Sequence, residues 1–225
     1  MCGGVVKNFI SIAFSAIVMV VLVLVPGSVA FASLTPTFNQ TINAGSLTAS
    51  INQSGDTTPV SNPTVSFPAQ NYSFSCSTST AALGDSNDLI NVTNLASGIN
   101  TWNIALAATG GTSATWTGTV HSTDTYAYNN TAGSGCTYGD LTVNPSVGTI
   151  TMDCNSSCSA NNSTVSLGAS APFNGTTTPS VTLMSDTAGT AWEGYVTGIN
   201  LSQTIPALTP SDSYTLPMTI TLSHT

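Results

Sequence analysis

The side chains able to transfer a proton, attack a substrate or hold a metal are few. Among 225 residues there are nine Asp or Glu, two His, five Cys and a single Lys or Arg. His121, Ser122 and Asp124 place the three residue types of a nucleophilic triad side by side. A triad is assembled in space by the fold, so adjacency in sequence does not indicate one. His121 follows an apolar run and reads as a surface residue at the end of a strand. His224 stands next to the last residue, where chains are loosely held. Glu193 adjoins Trp192, and apolar surroundings can raise a carboxyl pKa towards catalytic use. A glycosidase needs a second carboxylate at a set separation, and Glu193 reads more simply as an exposed glutamate at a strand edge. The chain is expected not to be an enzyme.

Binding chemistry is better represented. Gly84-Asp85-Ser86-Asn87-Asp88 collects oxygen ligands in a turn, a weak calcium site through Asp85, Asn87 and Asp88. It lacks EF-hand spacing and a bidentate Glu, and an Asx turn explains the same residues. No other cofactor is indicated. Trp192, Tyr126, Tyr128 and Tyr138 could stack on sugar rings if they were exposed together. Cys76, Cys136, Cys154 and Cys158 form an even set once Cys2 is set aside, which in an exported chain suggests disulfides with three alternative pairings. A local Cys154–Cys158 ring would leave Cys76–Cys136 as a long-range link, contributing roughly 4 kcal/mol by chain entropy. A zinc site would want a second close pair or a neighbouring His.

The compartment is legible at the N-terminus. Residues Met1 to Asn8 hold the only basic side chain, Lys7, before an apolar run from Phe9 to Val25. Pro26 and Gly27 then break the helix, and Ala30-Phe31-Ala32 provides a small-residue cleavage site, the three parts of a secretory signal peptide. The expected organisation is a signal peptide over 1–32 and one domain over 33–225, secreted or displayed on the outer face of the cell envelope. An uncleaved anchor would leave the domain on the same side, since Lys7 favours the inside. The exported part carries nine acids and no Lys or Arg. Nucleic acid is excluded as a partner, because neutralising its backbone needs basic side chains. Lysine isopeptide crosslinks are excluded on the same ground.

The elements that must position these residues read as short β-prone runs separated by Gly, Pro, Asn and Asp. The runs are 37–42, 47–51, 64–67, 72–76, 89–93, 102–108, 114–120, 141–143, 149–152, 164–167, 180–184, 195–203 and 214–222. No helical periodicity competes, so the pattern predicts an all-β fold, an antiparallel sandwich or barrel, following the leader helix. The alternation in Trp102–Ala108 and Ala114–Val120 predicts a hairpin with Trp102 against Val120 and Leu106 against Trp116. Both tryptophans then face the core. The last run alternates almost to the terminus, and Pro217 within it marks an edge or a bulge.

The stretch Leu89-Ile90-Asn91-Val92-Thr93-Asn94 followed by Thr101-Trp102-Asn103-Ile104 resembles the central motif of WxL-domain bacterial surface proteins. Ile104 replaces the Leu of that motif, and the C-terminal strand Tyr214–Leu222 carries no Trp. Gly135-Cys136 and the run Leu141–Thr149 give the layout a likeness to secreted proteins of candidate-phylum bacteria. What the resemblance implies is a single antiparallel immunoglobulin-like β-sandwich on a bacterial surface, associated with the cell wall and performing no reaction. The expected partners are therefore cell wall, a glycan or another surface protein, with self-association included. The function expected is structural or adhesive, with a carbohydrate-binding module as the alternative and a secreted hydrolase behind it.

Overall fold

The computed structural model describes residues 40, 45–54, 58–95, 101–130, 137–153, 164–189 and 191–224. The leader, the run at 37–42 apart from Gln40, and Cys136, Cys154 and Cys158 lie outside these residues. The elements below all belong to the unit Asn43–Thr225. In chain order they are β1 (Leu47–Asn52), β2 (Ser77–Leu83), β3 (Leu89–Asn94), β4 (Trp102–Ala108) and β5 (Thr115–Gly118). Then follow β6 (Thr125–Ala127), β7 (Asp140–Asn144), β8 (Thr149–Met152), β9 (Val165–Leu167) and β10 (Ala171–Pro172). The last five are β11 (Ser180–Asp186), β12 (Trp192–Thr197), β13 (Ile199–Ile205), β14 (Tyr214–Thr215) and β15 (Met218–His224).

All pairings between these strands are antiparallel, and the sheets pack in a sandwich-like arrangement without closing a barrel. One sheet has the order β1-β3-β12-β8 and a second the order β10-β7-β13-β2. The two share three chain segments, because β2 runs on into β3, β7 into β8 and β12 into β13. All three segments bend at the same level. Gly84 and Gly198 take left-handed φ of 82° and 73°, conformations that only glycine adopts freely. The Gly198 N–H donates to Gly84 O at 2.7 Å, tying the two bends together. In the third segment a 3₁₀ turn at Pro145–Val147 makes the bend, closed by the Gly148 N–H on Pro145 O at 2.8 Å.

A third sheet, β15-β4-β11-β9, supplies the other large layer. Its central strand β4 alternates as the sequence predicts, with Trp102, Ile104, Leu106 and Ala108 buried. On β11 a register shift between Thr182 and Met184 lets two consecutive residues, Leu183 and Met184, both turn inward. Such a bulge is the ordinary way to break a two-residue period. The three sheets share one apolar core containing Ile90, Val92, Ile104, Leu183, Val196 and Ile199. Trp102 meets Trp192 across it, ring centroids 5.7 Å apart.

The predicted Trp102–Val120 hairpin does not form. β4 pairs with β11 and β15, whereas β5 pairs with β6 and β14 in a small fourth sheet, β14-β5-β6. The chain continues forward after β4 through a 3₁₀ turn at Gly111–Ser113. Eight residues, Thr109 to Trp116, therefore stand opposite only Leu216 and Pro217 on the C-terminal segment. Tyr128 Oη and Asn129 Nδ2 donate to Gly111 O and Thr112 O, at 3.2 and 2.8 Å, and hold the detour in place. Reversal happens one strand later, where Asp124 N donates to His121 O at 2.9 Å. Trp102 is in the core, but Trp116 is only half-buried and Val120 is 75% exposed.

Candidate functional site

The small β14-β5-β6 sheet and its turns gather several titratable and aromatic groups outside the main core. Trp116 on β5 lies over Tyr126 on β6 at 6.0 Å with near-parallel rings, and Tyr126 meets Tyr214 edge-on at 5.0 Å. Phe67 closes the other side of Trp116 at 5.7 Å. The indole is fixed by a hydrogen bond from Nε1 to Gln203 Oε1 at 2.7 Å. Burial, and secondarily the neighbouring Tyr214, push the Tyr126 phenol upward. The Tyr214 hydroxyl donates to Pro210 O at 2.7 Å. Its pKa is raised by burial and then by the charges of Asp124 and Asp212. Both phenols are therefore held protonated.

At the tip of this sheet the β5–β6 turn meets the loop before β14. Asp212 Oδ2 accepts the His121 backbone N–H at 2.7 Å, and Oδ1 accepts the N–H groups of Val120 and Ser213 at 3.1 and 2.6 Å. The His121 N–H above all, then those of Val120 and Ser213, hold the Asp212 carboxyl below the ordinary value against the opposing effect of burial. His121 Nδ1 stands 3.6 Å from Asp212 Oδ2, with the imidazole 65% exposed and the carboxylate enclosed. Ligand atoms of His121, Asp124 and Asp212 all lie within 4.8 Å of one another. Gly118 makes this approach feasible, because a Cβ there would collide with Asp212 Oδ2 and His121 O. His121 is thus a surface residue after a strand, as its sequence position predicts. Asp212 had no signal beyond lying in a Pro- and Ser-containing loop.

The sugar-stacking set is divided by the fold. Trp192 and Tyr128 are 0% and 1% exposed, so neither belongs to a surface platform; Tyr128 packs on Phe173 in the interior at 5.2 Å. Tyr126 and Tyr138 instead line one shallow cleft of about 320 Å³ with Pro206, Leu208 and Pro210. Tyr138 is 47% exposed there. Glu193 is not at an edge, since β12 lies between β3 and β8.

In the acidic turn, Asp85 Oδ1 accepts the N–H groups of Asn87 and Asp88 at 2.7 and 3.2 Å. One carboxylate oxygen therefore caps the turn, and Asp88 is pushed upward by burial and by Asp85. That is the Asx-turn use of these residues. Cys76, just before β2, is disulfide-bonded, and the other four cysteines lie outside the described residues. No family model, curated protein or solved structure matches the chain.

Proposed function

We propose that this chain is an exported, non-catalytic surface domain with a structural or adhesive role, acting through contacts with the cell wall or with like copies. The observation that carries this reading is the outer edge of β15. This seven-residue strand, MTITLSH, contains no Asp, Glu, Lys or Arg and pairs only with β4 among the described residues. Natural edge strands are normally guarded by charge, by Pro or by bulges. Here Lys cannot serve, because Lys7 is the only basic residue, and Pro217 guards only the beginning of the strand.

The Thr109 N–H bonds Pro217 O, which fixes the parity of the ladder. Met218, Ile220, Leu222 and His224 consequently direct their main-chain groups to the open side. Strand addition there needs no lysine and no sortase signal. The leader-like N-terminus and the disulfide at Cys76 support export to an oxidising compartment. The likeness to WxL-domain proteins supports association with the cell wall.

Two measurements on the full chain test the reading: sedimentation velocity, and co-sedimentation with isolated cell walls. Self-association or wall retention is expected, and Thr221→Lys is expected to abolish self-association. A monomer that the walls do not retain overturns the proposal. A second reading, a carbohydrate-binding module, draws on the cleft shared by Tyr126 and Tyr138. Glycan-array binding that is lost in Tyr138→Ala would favour it.

A further inference from the structure

We propose that His121, Asp124 and Asp212 form a site for a single divalent zinc-class cation at the tip of the small β14-β5-β6 sheet. One imidazole nitrogen and two carboxylate oxygens are donors suited to zinc, with a fourth position left for water. Their spacing is the first argument. The 3.6 Å between His121 Nδ1 and Asp212 Oδ2 is long for a hydrogen bond. It is close to the separation of about 3.3 Å between two ligands of a tetrahedral zinc with bonds of about 2.05 Å. All three donors already converge within 4.8 Å, and Asp124 sits on the same turn as His121.

The second argument is the spare capacity of Asp212. Oδ1 receives two N–H groups and Oδ2 receives one, so Oδ2 keeps a lone pair on the side facing the imidazole. The backbone bonds fix the carboxylate before any ion arrives, as second-sphere contacts do in metal sites.

The third argument is charge. Two carboxylates converge in a protein whose only basic residue is Lys7, so no Lys or Arg among the described residues offsets them. A cation between the imidazole and the two carboxylates supplies the missing positive charge. This inference is independent of the surface-domain reading.

Isothermal titration of the full chain, disulfide intact, with zinc chloride tests it, together with cobalt(II) absorption as a report of coordination geometry. One zinc per chain and a visible tetrahedral cobalt band are expected. His121→Ala and Asp124→Asn should each weaken zinc at least tenfold and remove the band; both alter a surface turn and leave the core intact. Absence of zinc binding, or variants that bind like the wild type, overturns the site. Calcium bound in preference to zinc overturns the assigned cation class.

Discussion

Two carboxylates of this chain have opposite pH behaviour, and the cause in each case is local. Asp212 accepts three backbone N–H groups and is depressed. Its contribution is present above the unfolded pKa and is lost as the pH falls through the folded one. The stability difference between wild type and Asp212→Asn is therefore expected to shrink on acidification, measured by denaturation at neutral and acid pH. Asp140 is raised by burial, and its Oδ1 has no hydrogen-bond partner among the described residues. Its ionisation opposes folding as the pH rises through the folded pKa, so Asp140→Asn is expected to raise the melting temperature at neutral pH. Trp192→Ala removes a 0% exposed ring and should cost about 3–5 kcal/mol in urea titration. The sequence could not reveal that Trp192 points inward. In Trp192-Glu193-Gly194-Tyr195 an aromatic occupies each phase of the strand, and only the pairing of β12 with both neighbours decides which one faces the core.

Strand identity was more legible than strand pairing. β4 and β8 have the bounds their alternation predicts, and β3 is one residue longer than its run. β2 escaped notice because Ser77-Thr78-Ser79-Thr80 carries no apolar period; its inward Ser79 is satisfied by a hydrogen bond to Pro68 O at 3.0 Å. The run at 195–203 starts three residues late and hides a break. Gly198 divides it into β12 and β13, and the bend is shared with Gly84 on the next segment. The false hairpin has the same kind of origin. Its apolar register was self-consistent, but Gly110-Gly111 supported a forward 3₁₀ detour as readily as a reversal. Nothing lies within 4 Å of a Cβ added at Gly198, whose φ is 73°. Gly198→Ala should therefore lose about 1 kcal/mol through backbone strain alone, and Gly198→Asn less. Equilibrium unfolding of the two variants distinguishes strain from packing, since a packing defect would make the larger Asn worse.

At the scale of the molecule, the acidic surface and the uncharged β15 edge pull in different directions. Like charges repel two copies at long range, while the edge offers main-chain pairing at contact. Added salt screens the first and leaves the second, so self-association measured by sedimentation should strengthen with ionic strength. β15 also has a place in the order of assembly. Trp102 to Ala108 lie between β11 and β15, so β4, an inner strand of the third sheet, has both neighbours only once β15 has paired with it. Loop closure over such a separation makes folding slow. The position of β15 thus makes closure of the third sheet depend on one of the longest sequence separations among the described pairings, Trp102 opposite His224.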